Sequence, residues 1–373
     1  MTIQTLQPGT APQLEETAER GHAQERYASS YTELAARVRD SGLLRRRYGY
    51  YWVKMSLTVL AFGGVVAGIV LLGDSWFQLL LAGTLAVVFA QFAFLGHDAA
   101  HRQIFASGRA NDWAGLVQGA LLAGLSIGWW QTKHSRHHAN PNKHGSDPDI
   151  ASGAVAFTPY ARARRHGLSG YLADRQGWFF FPLLLLEALN LHSDSVRRIV
   201  SRHPMRRRGW EITFLLLRHG GYIAGLLLVM SPAKAAAFLG IQLGLYGLYL
   251  GGAFTPNHTG MPTVPPNLKI DFLRRQVLMS RNVTGGWFTH FALGGLNYQI
   301  EHHLFPSMPR PNLRRVQPLV RDCCAEQRIA YTEQNLFASY GIVVRYLNNV
   351  GLAARDPFGC PLCPLAAQLR SPT

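Results

Sequence analysis

Residues 76–101 read WFQLLLAGTLAVVFAQFAFLGHDAAH. Trp76 to Leu95 is a predominantly apolar run without a charged residue. Its length of about 20 residues is what an α-helix needs to cross a hydrocarbon core of about 30 Å. The run leads directly into His97 and His101, which are four residues apart and therefore share one face of a helix. This stretch predicts a membrane-spanning helix that extends just past the membrane surface and carries a pair of metal-binding imidazoles there.

Two further histidine groups follow in the chain, at His134-Ser-Arg-His137-His138 and at Gln299-Ile-Glu-His302-His303. Their neutral nitrogens are good ligands for zinc, copper, iron or nickel, and spacing alone does not choose the metal. His258, just past the last apolar run, brings the candidate ligands to eight, which exceeds what one tetrahedral zinc needs. We therefore predict a histidine-rich site for two metal ions.

Several polar residues near these groups are candidates to support or complete the site. A ligating histidine usually donates its second N–H group to an oxygen atom. The candidates for this role, or for further metal ligands, are Asp98, Asn140, Asp147, Asp149, Asn257, Gln299 and Glu301. Trp129 and Trp130 fit either an aromatic anchor at the membrane interface or the wall of a tunnel for an alkyl chain.

The composition and the charge pattern indicate a membrane protein. Charged residues make up 16% of the chain and hydrophobic residues 48%. Apolar runs near 50–72, 76–95, 212–230 and 235–254 predict four spans, and Arg218 and His219 inside the third are expected to face protein or the interface. Residues 113–130 are also apolar, but a crossing there would separate His134 from His101, so we expect a shallow segment.

With the four runs paired as two hairpins, the Arg-rich segments and all three histidine groups fall on one side. The positive-inside rule makes that side cytoplasmic. The predicted fold is an all-α integral membrane protein with four transmembrane helices as two hairpins and a cytoplasmic helical cap that holds a histidine-rich dimetal site. The net charge of +16 is attributed to lipid contact, and nucleic-acid binding is not expected.

The predicted organisation has three parts. Residues 1–45 form a polar arm and an amphipathic helix suited to the membrane surface, residues 46–325 form the membrane domain, and residues 326–373 form a cytoplasmic tail. The first 40 residues lack a signal-peptide pattern, so both termini and the active site are expected in the cytoplasm. Cys360 and Cys363 form a lone C-x-x-C in a Pro-rich segment, which we interpret as incidental.

The motifs HDAAH (97–101), HSRHH (134–138) and QIEHH (299–303), in this order between apolar hairpins, resemble the three histidine boxes of the membrane-bound fatty acid desaturases. The strings WWQTKH (129–134) and GGLNYQIEHHLFP (294–306) resemble the front-end and linoleoyl-CoA desaturase-like branch. The resemblance covers roughly residues 45–325. It implies a non-haem diiron centre that activates O₂ and removes two hydrogens from an unactivated acyl chain, leaving a cis double bond.

The resemblance also assigns roles to residues. The implied iron ligands are His97, His101, His134, His137, His138, His302 and His303. Gln299 takes the place of a ligating histidine of other branches, and His258 matches a ligand that family members carry after the fourth span.

The sequence contains no haem-binding His-Pro-Gly-Gly stretch. The implied electron donor is therefore a separate ferredoxin, rubredoxin-like protein or cytochrome with its NAD(P)H reductase. The acyl substrate would be carried by CoA, a carrier protein or a phospholipid ester.

Three other functions are weighed against this one. A fatty acyl hydroxylase or epoxygenase would use the same diiron site. A b-type haem electron carrier would need histidine pairs inside facing spans, and a divalent-metal transporter would need ionisable residues at mid-membrane depth. A zinc protease is disfavoured because no H-E-x-x-H motif occurs.

Overall fold

The computed structural model describes residues 30–151 and 153–352, so Cys360 and Cys363 lie outside the described residues. These residues are mostly helical. In chain order the helices are α1 (residues 30–40), α2 (Tyr48–Leu72), α3 (Gln78–Ala100), α4 (Gly108–Gly115), α5 (Ile127–Ala139), α6 (Pro159–Ala163), α7 (Gly167–Asp174), α8 (Gln176–Leu184), α9 (Glu187–Val200), α10 (Arg208–Val229), α11 (Pro232–His258), α12 (Phe272–Leu278), α13 (Trp287–Ala292), α14 (Gln299–Leu304), α15 (Arg310–Glu326) and α16 (Leu336–Leu352). A π-helix (Leu116–Ala123), a 3₁₀ turn (Pro148–Ile150) and the strands β1 (Asn282–Thr284) and β2 (Glu333–Asn335) complete the order.

Within the described chain, four helices are long and apolar enough to cross a membrane: α2, α3, α10 and α11. They correspond to the four apolar runs of the sequence. Helices α3 and α11 run further than the apolar runs, to Ala100 and His258. His97 and His258 therefore lie beyond the apolar runs but still within α3 and α11, because the helical hydrogen-bond pattern continues after the apolar residues stop.

Helix α3 is the centre of the bundle and packs against α2, α11 and the π-helix. Its large side chains are buried with those of α11, as Phe89, Phe92, Phe238 and Tyr246 show. The outward faces of α2 and α10 expose large aliphatic residues such as Leu71 and Leu228. Exposed apolar faces of this extent are typical of a surface that contacts lipid.

The short connections after α2 and α10 contact each other. The Asp74 carboxylate accepts hydrogen bonds from the backbone N–H (2.8 Å) and the hydroxyl (3.0 Å) of Ser231. Lys234 forms an ion pair with the same carboxylate at 3.0 Å. The two connections are therefore fastened together at one end of the four helices.

The segment after α4 does not form one straight helix. The π-helix ends at Gly124, whose φ of +80° lies in the left-handed region that favours glycine. Arg218 of α10 donates a hydrogen bond to the Leu122 carbonyl (3.0 Å), and its guanidinium lies 4.0 Å from the centre of the Phe89 ring. The predicted charge inside the third span thus faces protein, where it binds a carbonyl at the end of the π-helix.

A second core surrounds the histidine motif of α14. It contains apolar side chains of α12, α14 and α15, and Leu34 and Val38 of α1 are buried in it. The apolar face of α1 is therefore covered by protein and does not lie open to a membrane surface, which corrects the expectation for this helix. Residues 326–352, assigned from sequence to a tail, form β2 and α16, and Val343 and Leu347 pack against α8.

Candidate metal centre

Four helices bring the predicted histidines together. Helix α3 carries His97 and ends just before His101, while α5 carries His134, His137 and His138. His258 is the last residue of α11, and α14 supplies His302 and His303.

Helix α5 is fixed at its start by α10. Ser126 caps the helix by accepting a hydrogen bond from the Trp129 N–H group (3.1 Å). The Glu211 carboxylate accepts a hydrogen bond from the Ser126 hydroxyl and one from the Gly128 N–H group at 2.8 Å. A buried carboxylate at this position also complements the positive end of the helix. The start of α5, and with it the orientation of the histidine stripe, is thereby set.

The first histidine group consists of His97, His101, His134 and His302. One ring nitrogen from each lies within 4.8 Å of the others. The ring centroids of His97 and His101 are 4.7 Å apart, and those of His101 and His302 are also 4.7 Å apart. Four imidazoles from three separate elements therefore converge on one point.

The second histidine group consists of His137, His258 and His303, whose nitrogens also lie within 4.8 Å of one another. The Nε2 atoms of His137 and His258 are 3.3 Å apart. The Gln299 amide nitrogen lies 2.9 Å from His258 Nε2, so the Gln299 side chain borders this group.

His138 lies between the two groups. Its Nε2 atom is 3.0 Å from Nε2 of His134, in the first group. Its ring stacks on His303, in the second, with centroids 4.1 Å apart. All eight predicted histidines are therefore in one continuous cluster.

The donor atoms of the cluster fit metal ions. Among the described residues, Nε2 of His97, His101, His302 and His303 and Nδ1 of His138 are buried and make no hydrogen bond. A buried polar nitrogen without a partner is costly, and several pairs of ring nitrogens are too close for both to carry hydrogens. Lone pairs directed at bound cations would satisfy these atoms, and imidazole suits iron, copper, nickel and zinc.

The opposite nitrogens of several rings are held by oxygen atoms. His137 Nδ1 donates to both oxygens of Asp147, at 3.0 and 3.1 Å, and lies 3.3 Å from Asp149. His258 Nδ1 donates to the Met279 carbonyl at 2.9 Å. His303 Nδ1 donates to Gln276 Oε1 at 2.9 Å. Each bond places the proton on Nδ1 and so leaves the Nε2 atom of that ring with a lone pair that a metal can bind.

The other predicted polar residues lie at different places. Asp98 is 3.5 Å from His97 Nδ1, a long contact, and forms a buried ion pair with Arg310 at 2.7 Å. Asn257 donates to Gln299 Oε1 at 3.2 Å. Glu301 accepts hydrogen bonds from Asn282 (2.8 Å) and Tyr331 (2.5 Å) and from no histidine of the described residues.

Asn140 ends α5, and its side chain makes no hydrogen bond to a histidine within the described part of the chain. Asn142 supports the site instead, because its N–H group donates to Asp147 (2.7 Å) and its amide to the His258 carbonyl (3.2 Å). Asn142, Gln276, Met279 and Arg310 were not predicted from the sequence. None is in a histidine motif, and each reaches the site only through tertiary contacts.

Electrostatics favour the neutral, metal-binding form of most of these imidazoles. Burial, followed by repulsion from neighbouring imidazoles, lowers the pKa of His134, His138, His302 and His303 well below the usual range. His137 is the exception. Burial lowers its pKa, but the Asp149 and Asp147 carboxylates outweigh that effect and raise it.

A cavity of about 700 Å³ opens beside the cluster. His97, His134, His137 and His258 form part of its wall. Much of the remaining wall is apolar, with Leu125, Leu184, Leu250 and Phe254 as examples. The volume is in the range of about 300–1,000 Å³ that is typical of small-molecule sites.

The two predicted tryptophans, Trp129 and Trp130, both line this cavity. The Trp130 ring stacks on His134 with centroids 4.1 Å apart. Lys133, on the same helix, pairs with Asp149 at 2.9 Å at the polar part of the wall. The cavity therefore joins a polar region, the histidine cluster and an apolar region.

Comparisons with known proteins agree with one another. A family model described as fatty acid desaturase matches residues 74–335. The Delta(8)-fatty-acid desaturase of Helianthus annuus is 24% identical over 339 residues, which cover 87% of this chain and 74% of that protein. The Delta(6)-fatty-acid desaturase fat-3 of Caenorhabditis elegans is 29% identical over 346 residues, which cover 88% of this chain and 76% of that protein. The Delta(5) fatty acid desaturase fat-4 of the same organism is 29% identical over 341 residues, which cover 87% and 74%.

Proposed function

Since the chain belongs to the fatty acid desaturase family, we propose that it introduces a cis double bond into a fatty acyl chain at a site for two iron ions held by the histidine cluster. One observation carries the proposal. Two groups of imidazole nitrogens, each within 4.8 Å, lie at the wall of an apolar cavity.

We assign His97, His101, His134 and His302 to one iron and His137, His258 and His303 to the other. His138 lies between the groups and completes the ligand set. Iron bound here would supply the activation of O₂ and the removal of two hydrogens from the acyl chain. Gln299 is assigned to the second iron's surroundings, where its amide lies 2.9 Å from His258.

The protein's own groups position and shield this chemistry. The hydrogen bonds from His137, His258 and His303 to Asp147, Met279 and Gln276 fix the ring orientations. Trp130 covers one side of His134 and keeps water from it. The apolar part of the cavity holds the alkyl chain so that one pair of carbons lies beside the cluster.

The proposed partners follow from this reaction. The substrate is a fatty acyl chain carried by CoA, a carrier protein or a phospholipid ester. Electrons come from a separate ferredoxin, rubredoxin-like protein or cytochrome with its NAD(P)H reductase. The four long helices cross the membrane as two hairpins, with the cap, the histidine cluster and both termini in the cytoplasm. The contact between the two short connections supports that arrangement.

The test is expression in a host that lacks polyunsaturated lipids, followed by mass spectrometry of its fatty acids. We expect a new fatty acid that has lost two hydrogens, and fragmentation will locate the double bond. A His134→Ala variant serves as the inactive control. A product that has gained an oxygen atom instead would contradict the proposal and favour the hydroxylase or epoxygenase alternative.

A further inference from the structure

A second cavity, of about 230 Å³, lies beside α5 on a different face from the histidine stripe. We call it the arginine pocket. Its charged lining consists of four guanidinium groups and two carboxylates, from Arg102, Arg198, Arg206, Arg207, Asp112 and Glu211. The excess of positive charge is 4 − 2 = +2.

Both carboxylates of the arginine pocket already have partners. Asp112 pairs with Arg102 at 2.8 Å and, at the longer distances of 3.6 and 3.8 Å, with Arg207 and Arg206. Glu211 accepts hydrogen bonds from Ser126 and Gly128 at the start of α5. Two carboxylates face four guanidinium groups, so the pocket itself does not balance its charge.

Two of the arginines have unused hydrogen-bond donors. The Nε atoms of Arg198 and Arg207 are buried and make no hydrogen bond among the described residues. Arg198 donates from Nη2 to the Pro204 carbonyl at 3.1 Å, which fixes its guanidinium at the pocket wall. A guanidinium presents its N–H groups as a rigid fork that matches the oxygens of a phosphate. These two Nε donors have no protein acceptor in the described chain, and an anion in the pocket would lie beside both guanidinium groups.

The backbone at this pocket is strained. Arg102 has φ +61° and Arg207 has φ +58°, a region that residues with a Cβ rarely adopt. They are two of the four non-glycine residues with positive φ in the described chain. Arg102 follows the end of α3 and Arg207 precedes α10, and such a conformation persists only where the surrounding contacts hold the backbone in place.

The aromatic neighbours of the pocket indicate a membrane interface. The pocket lies next to the start of α10, one of the candidate spans. The rings of Trp113 and Trp210 pack edge to face with centroids 5.2 Å apart, and Trp210 is exposed. Tryptophan is enriched at the level of the lipid headgroups, where phosphate groups are abundant.

We propose that the arginine pocket binds a phosphate group, carried by a lipid headgroup or free in solution. The pocket is smaller than the roughly 300 Å³ at which sites for drug-sized ligands begin, so it holds a headgroup fragment and leaves acyl chains outside. The arginine pocket and the cavity beside the histidine cluster share Ile127 but no charged residue, and this inference does not depend on the proposed function.

The experiment measures binding to the purified full-length protein in a non-ionic detergent. One arm titrates inorganic phosphate by calorimetry. The other adds phosphatidylglycerol and counts retained lipids by native mass spectrometry. The test variant is Arg198→Gln/Arg207→Gln, and the matched control is Arg164→Gln/Arg202→Gln, which removes the same charge from exposed positions outside the pocket.

We expect the test variant to bind at least about tenfold more weakly than the wild type, and the control to bind within about twofold. Loss in both arms identifies a general phosphate site. Loss in the lipid arm alone identifies a headgroup site, and loss in the phosphate arm alone identifies a soluble ligand. Equal binding by both variants, or no binding by the wild type, overturns the proposal. If the double variant does not fold, Arg198→Gln alone is compared with Arg202→Gln.

Discussion

At the scale of single residues, the histidines depend on oxygen atoms that hold their second nitrogens. His137 is the clearest case, because both Asp147 oxygens accept from its Nδ1 atom and Asp147 also binds the N–H groups of Asn142 and Asp149. The carboxylate is therefore itself fixed in place. Both aspartates of the sequence Asp147-Pro-Asp149 therefore contact His137 in addition to forming a turn.

Replacing Asp147 with Asn should weaken the centre. The amide is neutral and offers one acceptor oxygen. The His137 ring is therefore held less firmly in its orientation, and its Nε2 atom becomes less basic. We expect activity or iron affinity to drop about 10–100-fold, the usual cost of losing such a partner. Iron content and desaturation rate are measured together. Asp174→Asn, which alters a surface ion pair with Arg162, is the control, and unchanged iron binding in Asp147→Asn would refute the role.

His258 belongs to the second histidine group alone, so its loss should affect one iron more than the other. In His258→Ala that group keeps His137 and His303, and we expect iron to fall from about two to about one per chain. The measurement is iron by elemental analysis of the purified protein. His219→Ala, in α10 beside His192 and outside both groups, should keep its iron. Full iron content in His258→Ala would remove His258 from the ligand set.

At the scale of elements, the position of α11 against α8 and α9 matters because α11 ends in His258. Gly247 is where the backbones come closest. A Cβ atom there would lie 2.6 Å from both the Leu184 carbonyl oxygen and the Ala188 nitrogen. These atoms are backbone and cannot move aside as a side chain would. The close approach therefore requires glycine in the middle of a helix that would otherwise disfavour it.

Gly247→Ala should accordingly destabilise the protein. Overpacking at such a contact costs about 1–3 kcal/mol, which exceeds the gain of up to about 1 kcal/mol that alanine gives in a helix. Gly240→Ala is in the same helix and has no atom within 4 Å of the added Cβ, so it measures the gain in helix propensity alone. Thermal unfolding in detergent is the measurement. A midpoint for Gly247→Ala equal to or above that of Gly240→Ala would contradict the predicted collision.

At the scale of the whole molecule, the proposed membrane orientation rests on the distribution of charged residues. One set of polar features consists of the arginine pocket, the histidine cluster and the helical cap. The other consists of the two short connections that Asp74 and Lys234 hold together. The proposed orientation puts the former in the cytoplasm and the latter on the opposite side.

Labelling of single cysteines tests that orientation. In a chain whose four native cysteines are replaced by alanine, Asp74→Cys should react with a membrane-impermeant maleimide added to intact cells. Arg164→Cys, which is also exposed, should react only after the membrane is opened. The reverse pattern would invert the topology, and labelling of both in intact cells would exclude two hairpins with the cap inside.

The amino-acid sequence alone determined the four long apolar helices and the three histidine motifs, and it indicated Asp147 and Asp149 as candidates to support the site. Helical periodicity and apolar length are local properties, so residues 76–101 contain both the candidate span and a pair of candidate ligands. The sequence also indicated two neighbours of the centre, namely His258, which lies outside the three histidine motifs, and Gln299, which opens the third.

Only the tertiary structure decided how seven of the eight histidines divide into two groups with His138 between them, and which atoms hold them. Gln276, Met279 and Asn142 reach the site through contacts between distant segments, and such contacts leave no periodic signal in the sequence. The partners of Glu301 were also decided only by the tertiary structure, because this residue lies inside the third histidine motif but binds Asn282 and Tyr331. The tertiary structure likewise decided what the apolar face of α1 contacts, which is the protein core and not a membrane surface. Periodicity tells which face of a helix is apolar, but only packing determines what covers it.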